Sequence, residues 1–241
     1  PFLGVATKQT QVEPQQPSQP YQESAPEAQL SELASVTLAQ TEETWGKLFG
    51  GKYSPPTMVM FSGQTESACG TGQAAMGPFY CPLDQKLYLD LSFFQELEQK
   101  FGAPGDFAQA YVIAHEVGHH VQNLTGTMEK VDQRMRQVDA RGRNALSVRL
   151  ELQADCYAGA WVADVRSGGD RRFFVVNNRT LDLALAGFLE LRDTPGMTRA
   201  DAGAHGTAFD RMRAFQEGID GEGDDRLVDE GHRNGQDHGG E

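Results

Sequence analysis

Apolar residues recur at three- and four-residue spacing in several stretches of the chain, a pattern that predicts a helix-rich protein. The clearest stretch begins at Asp106, the expected N-cap, which follows Pro104-Gly105, and it continues to about Gln122. Its small and apolar positions share one helical face: Phe107, Ala110, Tyr111, Ala114, Val117, Gly118 and Val121. One side of this helix is therefore expected to pack in the core.

Similar periodicity predicts other helices, and two short runs have the composition of strands. Single helices are expected at about residues 30–49, 92–100, 180–191 and 207–217, and a helical hairpin at residues 127–166. The strands are expected at Thr57–Phe61 and Lys86–Leu91. In the first helix the expected core residues are Leu33, Val36, Trp45 and Leu48. Together these elements indicate a helix-dominated α+β fold with a small β-sheet.

The two ends of the chain differ in composition from its middle. Residues 1–29 are rich in Gln, Pro, Ser and Glu, and residues 218–241 are rich in Gly, Asp and His. Such segments have too few large apolar residues to form a core. We therefore expect a disordered linker over residues 1–29, one folded domain over residues 30–217 and a disordered acidic tail over residues 218–241.

The central helix contains a motif with a defined chemistry, His115-Glu116-x-x-His119. Residues four apart lie on the same face of a helix, so both imidazoles can point at one zinc ion. Glu116 then lies beside the metal, where its carboxylate can accept a proton from the attacking water. The alternative is a pair of buried histidines that bond to their neighbours. His120 points away from the pair and is interpreted as structural.

A catalytic zinc site with two histidines needs a third protein ligand. Downstream, Glu151 and Asp155 share one face of another helical stretch. Glu151 could be the third ligand, while Asp155, one turn later, could accept the free ring N–H of a ligand histidine. The alternative is a solvated acidic face, which the largely apolar surroundings of these two residues disfavour.

Several blocks of the chain carry a resemblance to a known family: Thr41–Trp45, Ala68–Gly70, Gly77–Pro82, Tyr88–Asp90, Ala114–Gln122 and Glu151–Gly159. Over about residues 36–217 the chain resembles the bacterial putative neutral zinc metallopeptidase family. The resemblance implies a zincin-like fold with a gluzincin-type site. By position it implies that His115, His119 and Glu151 bind one Zn²⁺ ion per chain, that Glu116 is the catalytic base and that Asp155 supports a ligand.

His205 is the one histidine outside the central helix and the tail. It lies in Gly203-Ala204-His205-Gly206, whose glycines favour a loop. The family resemblance implies a histidine in a similar position, and a donor is needed for the oxyanion that forms when water attacks a carbonyl. His205 is therefore a candidate oxyanion donor, and the alternative is a histidine on a surface loop.

The cysteines and the start of the chain bear on location. Cys69 and Cys81 flank a Gly-rich loop and could form a disulfide, whereas Cys156 is expected to be a buried thiol. The chain begins at Pro1 with a short apolar run, which we interpret as the end of a removed signal or anchor segment. An extracytoplasmic protein, tethered to the membrane or secreted, is therefore expected, with a cytoplasmic one as the alternative.

Charge and context exclude several functions. The net charge of −13 argues against nucleic acid and anionic membrane surfaces as partners, and no apolar run is long enough to span a bilayer. The pattern Gly70-x-Gly72-x-x-Ala75 resembles a dinucleotide-binding fingerprint, but Gly77-Pro78 interrupts the helix that would have to follow it. A membrane contact is expected only through a segment upstream of Pro1.

The function that these features favour is zinc-dependent hydrolysis of peptide bonds in a peptide or protein substrate. The substrate is expected to lie extended along a sheet edge, at the segment just before Cys81. The alternative from another class is a zinc-stabilised binding or chaperone-like domain without turnover. Hydrolysis of a substrate other than a peptide is a third interpretation of the same residues.

Overall fold

Five helices and five strands make up the part of the chain that the computed structural model describes, namely residues 24–73, 77–93, 106–168 and 206–221. The helices are α1 (Ala25–Leu48), α2 (Asp106–Leu124), α3 (Thr127–Met135), α4 (Ala140–Gly168) and α5 (Ala208–Asp220). The strands are β1 (Thr57–Phe61), β2 (Gln64–Ser67), β3 (Gly70–Gln73), β4 (Phe79–Cys81) and β5 (Lys86–Asp90). The predicted helix-dominated α+β fold is confirmed.

Among the described residues, the main sheet has three strands in the order β1-β5-β4. Strand β1 runs parallel to β5, and β4 runs antiparallel to it, so β4 lies at one edge of the sheet that these strands form. The strands predicted at residues 57–61 and 86–91 are confirmed as β1 and β5. Strands β2 and β3 form a separate hairpin that the sequence did not predict, because its polar and glycine residues lack the apolar alternation of a half-buried strand.

Helix α1 begins at Ala25, five residues before the predicted start at Leu30. The signal for this start is a capping box, in which Ser24 accepts a hydrogen bond from the backbone of Glu27 and the Glu27 side chain accepts one from Ser24. Periodicity of apolar residues does not register such a polar first turn. The last helix likewise extends past residue 217, to Asp220.

Helix α1 buries the predicted Trp45 in the core, and the predicted Leu33 packs against the core. Leu48 was also expected in the core, but 62% of it is exposed. Threonines take further buried positions that were not predicted, namely Thr37, Thr41 and Thr44. The first two donate their hydroxyls to carbonyls of the preceding helical turn, so burial leaves these groups bonded. A pattern that counts threonine as polar therefore misses part of the buried face.

Helix α2 lies at the centre of the fold and contacts α1, α3, α4 and β4. Its crossing with α4 is close because position 118 is glycine: a Cβ there would lie 2.9 Å from the carbonyl oxygen of Ala154. Helices α4 and α5 also pack backbone to backbone, since a Cβ at Gly159 would overlap the carbonyl oxygen of Phe215. These two crossings place side chains from three helices within hydrogen-bonding distance of one another.

The predicted disulfide between Cys69 and Cys81 is present, with the two Cα atoms 5.8 Å apart. It ties the turn between β2 and β3 to the last residue of β4. Cys156 is a buried thiol on α4, as expected.

Replacing both bonded cysteines by serine should lower the free energy of unfolding by about 3 kcal/mol, because the closed loop restricts the unfolded chain. Urea denaturation of the wild type and the double variant, both without reductant, measures the difference. Peptide mapping of the oxidised protein should recover the Cys69 and Cys81 peptides linked to each other. Recovery of both as free thiols would contradict the pairing.

Some expectations fall partly or wholly on residues outside the described ranges. These include the helix at residues 180–191, His205 and most of the predicted linker and tail. Of the helix expected at residues 92–100, the described part is Leu91–Phe93, and its cap is Asp90, which accepts from the backbone and the hydroxyl of Ser92. Within the described ranges, every helix is too short or too polar to cross a bilayer.

Candidate metal centre

His115 and His119 lie one turn apart on α2 and face Glu151 on α4. The Nε2 atom of His115 is 3.3 Å from Oε2 of Glu151, and Nε2 of His119 is 3.7 Å from Oε1 of the same carboxylate. Ligand atoms of the three residues all lie within 4.8 Å of one another. Two imidazole nitrogens and a carboxylate oxygen form a donor set that zinc prefers, so these residues fit a zinc ion.

The opposite nitrogen of His115 is fixed by Asp155. Nδ1 of His115 lies 2.8 Å from Oδ1 of Asp155. The pKa of Asp155 is lowered, because Arg211 and His115 outweigh the effect of burial, so the group is a carboxylate that can only accept. The proton of the neutral imidazole therefore lies on Nδ1, and the lone pair of Nε2 faces Glu151.

Gln122 fixes His119 in the same sense, a role that the sequence did not suggest. Nε2 of Gln122 donates to the carbonyl of Leu150 at 2.7 Å and to Oε1 of Gln153 at 3.0 Å. These bonds turn the amide oxygen of Gln122 toward His119, whose Nδ1 donates to it at 2.9 Å. Both histidines thus present Nε2 to the same point in space.

Asp155 is the centre of a buried network that extends beyond the histidines. Arg211 on α5 donates to both of its oxygens, from Nε to Oδ2 at 2.8 Å and from Nη2 to Oδ1 at 2.9 Å. Tyr111 donates its hydroxyl to Oδ1 and accepts from Nη2 of Arg211 at 3.0 Å. Burial raises the pKa of Tyr111 well above its ordinary value, so the hydroxyl keeps its proton. Asp155 is thereby held in one position.

Sequence reasoning missed Arg211 and Tyr111. Tyr111 lies four residues before His115 on the same helical face, a spacing that could have indicated the contact. Arg211 gave no comparable signal. Two residues later in the same helix, Arg213 pairs with Glu217 at the surface, and nothing local distinguishes the two arginines.

The pKa values of the site reflect its negative charge. Burial alone would lower the pKa of His115, but Asp155 and Glu151 outweigh it and raise this pKa to about 10. The pKa of His119 is raised in the same way, chiefly by Glu151. Burial would raise the pKa of Glu151, but the two histidines hold it well below its ordinary value. A potential that favours an extra proton on imidazole also favours a divalent cation.

Glu116 lies beside the possible ligands and keeps part of its surface open to a cleft. Burial raises its pKa above the ordinary value, although the two neighbouring histidines and a hydrogen bond from the backbone N–H of Tyr80 lower it. The raised pKa makes this carboxylate a stronger base than an exposed one. The position and the raised pKa of Glu116 therefore suit it to accept a proton beside the three possible metal ligands.

The cleft has a volume of about 400 Å³. The described residues that line it include charged and apolar ones: Gly77, Pro78, Phe79, Tyr80, Phe93, Tyr111, Val112, His115, Glu116, His119, Glu151 and Arg211. Strand β4, which ends at Cys81, therefore borders the site. It contains the segment along which the substrate was expected to lie.

The edge of β4 that faces the cleft has few hydrogen-bond donors. Pro78 and Pro82, on either side of the strand, have no backbone N–H. The backbone of Tyr80 lies near Glu116 and lowers the pKa of its carboxylate. Because β4 also pairs with β5, only part of the N–H groups of Phe79, Tyr80 and Cys81 can face a ligand at the outer edge.

His120 lies away from the ligand pair, as expected. Its Nε2 donates to the carbonyl of Ser54 at 2.7 Å, and its Nδ1 lies 3.0 Å from the hydroxyl of Tyr80. Asn123 donates to the same hydroxyl at 2.9 Å. Burial lowers the pKa of His120, so the ring is neutral and accepts from Tyr80. These bonds fix β4 against α2.

The chain has clear relatives among known proteins. A family model described as putative neutral zinc metallopeptidase matches residues 1–229. The chain is 44% identical over 203 residues to the uncharacterized protein YpfJ of Escherichia coli K12, which covers 80% of this chain and 69% of that relative. It is 38% identical over 200 residues to the uncharacterized protein Rv2575 of Mycobacterium tuberculosis, which covers 78% of this chain and 66% of that relative. No solved structure matches the chain.

Proposed function

The chain belongs to the putative neutral zinc metallopeptidase family, and we propose that it hydrolyses peptide bonds. In this proposal His115, His119 and Glu151 hold one zinc ion per chain and Glu116 is the general base. The observation that carries it is the convergence of both Nε2 atoms and the Glu151 carboxylate at one point, beside Glu116 and open to a cleft. A zincin-like arrangement of helices and edge strand accords with this assignment.

Zinc bound there would supply a Lewis acid that polarises the scissile carbonyl and makes a coordinated water easier to deprotonate. Glu116 accepts a proton from the attacking water and delivers it to the leaving amine, so that the C–N bond breaks and the base is regenerated. Asp155 and Gln122 keep the two imidazoles in the tautomer that presents Nε2. His205, outside the described residues, stays a predicted oxyanion donor.

The substrate is a peptide or protein segment that lies extended beside β4. The support is that β4 is an edge strand and lines the cleft. Backbone carbonyls at the outer edge of β4 can accept N–H groups of the substrate. Few N–H donors are left for the substrate carbonyls, since Pro78 and Pro82 have none.

The alternative function is a zinc-stabilised binding or chaperone-like domain. Within the described residues the group of possible ligands has three members, whereas a site that only stabilises a fold favours four protein ligands. The test is the cleavage of an unbiased peptide mixture by the zinc-loaded wild type beside Glu116→Gln. Zinc binding without cleavage by the wild type would favour the alternative.

We also propose that the protein works outside the cytoplasm, tethered to a membrane or secreted. The support is the disulfide between Cys69 and Cys81, since disulfides persist mainly in oxidising compartments.

Loss of the Asp155 carboxylate should lower zinc affinity or activity by about 10–100-fold without removal of a ligand, because His115 loses the partner that fixes its tautomer. Asp155→Ala removes the group, and Asp155→Asn keeps its shape, so the second variant separates lost charge from lost packing. Competition titration with a zinc-binding dye measures the affinity. Unchanged affinity and activity in both variants would return Asp155 to a structural role.

A matched pair of arginine variants tests the same network from α5. Arg211→Met should shift zinc affinity in the same direction as the Asp155 variants, because it removes the two hydrogen bonds that the arginine donates to the carboxylate. Arg213→Met should leave the affinity unchanged, since its only described ion pair is an exposed one with Glu217.

A further inference from the structure

Hydrogen bonds between the main chains of β4 and a substrate supply only limited affinity. A bound peptide that follows this edge can donate to backbone carbonyls of β4, but its own carbonyls meet few N–H donors, because Pro78 and Pro82 have none and β5 takes part of the others. A polar group that loses water without gaining a partner weakens binding. Side-chain contacts must therefore supply much of the discrimination between peptides.

The charged side chains that line the cleft already have partners inside the protein. Glu151 faces both histidines at 3.3 and 3.7 Å, and Glu116 lies beside the same two histidines, which lower its pKa. Arg211 is held by both oxygens of Asp155. Among the lining residues that the structure describes, none of these groups points to recognition of a charged substrate side chain.

The described lining of the cleft also includes an apolar group of residues, one of which lies next to the base. Val112 precedes Glu116 by four residues on α2, so the two side chains are neighbours on one face. Phe93 and Pro78 also belong to this apolar group. The ring of Phe93 packs directly over Gly77, where a Cβ would lie 3.3 Å from a ring carbon and where φ is +71°, a value that favours glycine. This packing holds the ring in place.

From these observations we infer that the cleft selects peptides by a large apolar side chain next to the scissile bond, which packs against Val112 and Phe93. The inference rests on the proposed function, because the position of the scissile bond is taken from the ligand group and Glu116. It names the substrate class as peptides with Leu-, Met- or Phe-like residues at that position. Burial of the added methylene groups supplies the preference.

Binding of three zinc-directed peptide hydroxamates to the zinc-loaded full chain tests the inference without turnover. The probes differ only in one side chain, which is that of leucine, alanine or aspartate, and calorimetry gives the three dissociation constants. The leucine probe should bind about 10–100-fold more tightly than the alanine probe, and the aspartate probe should bind no better than alanine. Equal binding of all three, preference for aspartate, or binding of none would overturn the inference.

Three variants test whether Phe93 supplies the preference for the leucine probe. Phe93→Ala should remove most of the advantage of the leucine probe, whereas Phe209→Ala, at a position that is 69% exposed on α5, should leave it intact. Phe93→Leu, which keeps an apolar group, should retain part of the preference and guards against a failure of Phe93→Ala to fold. An undiminished preference in a folded Phe93→Ala protein would contradict the role assigned to Phe93.

The outcomes also separate this inference from the proposed function. Selective binding of the leucine probe without cleavage of any peptide would leave the apolar site standing and refute the peptidase. Cleavage with no preference for apolar residues beside the cut bond would support the peptidase and refute the apolar selection.

Discussion

Glu116→Gln is expected to keep its zinc and its fold and to lose peptide hydrolysis by about 10²–10⁴-fold. An amide has nearly the shape of the carboxylate but cannot accept the proton of the attacking water. Glu116 is not one of the three converging ligand residues, so its replacement leaves the metal donors in place. The loss should therefore appear in kcat rather than in metal content.

The measurement is the rate of peptide cleavage and the zinc content of the same sample, for the wild type and the variant. Glu32→Gln, the same chemical change on the exposed side of α1, is the matched control and should cleave at the wild-type rate. A zinc-loaded Glu116→Gln protein that cleaves as fast as the wild type would show that another group is the base.

Glu151→Ala should lose most of its zinc at concentrations that saturate the wild type. The carboxylate is the sole ligand from α4 in the converging group, and two imidazoles alone leave the site with too few donors and no negative ligand. His115→Ala and His119→Ala should have a similar effect. The loss of affinity should exceed the about 10–100-fold expected for a residue that only orients a ligand, such as Asp155.

Metal analysis and thermal unfolding with and without added zinc measure this effect. Zinc should raise the Tm of the wild type, because a ligand that binds only the native state stabilises it, and it should not raise the Tm of Glu151→Ala. Glu217→Ala, on the surface of α5, is the control and should respond to zinc like the wild type. Full zinc occupancy in Glu151→Ala would rule out Glu151 as the third ligand.

The two variants fail in different ways, which makes them informative together. Glu116→Gln should keep the metal and lose the chemistry, whereas Glu151→Ala should lose the metal and the chemistry with it. Treatment of the wild type with a chelator should reproduce the second pattern and be reversed by added zinc.

The sequence located the centre of the site because its signal is local. His115 and His119 are one helical turn apart, as are Glu151 and Asp155, and helical periodicity alone puts each pair on one face. The structure brings the two pairs together, with Asp155 against His115 and Glu151 against both histidines. Apolar periodicity also identified the central helix correctly, since a long, strongly periodic stretch has few alternative folds.

Local patterns failed where polar residues perform the packing. In α1, the pattern missed the buried threonines and wrongly assigned Leu48 to the core. With the capping box at Ser24, that helix begins earlier than predicted. The hairpin of β2 and β3 lacks an apolar alternation, so only its pairing reveals it. In each case hydrogen bonds replace the apolar signal on which the predictions relied.

By itself, the sequence determined which residues are the candidate ligands and base, and that they lie on helices with the right faces. The tertiary structure decided what surrounds them: the hydrogen bonds of Arg211 to Asp155, the amide of Gln122 behind His119, and the edge of β4 beside Glu116. These contacts depend on how closely α2, α4 and α5 cross and on where β4 lies at the sheet edge. Both are set by long-range packing, as at Gly118 and Gly159, and residue spacing along the chain does not encode them.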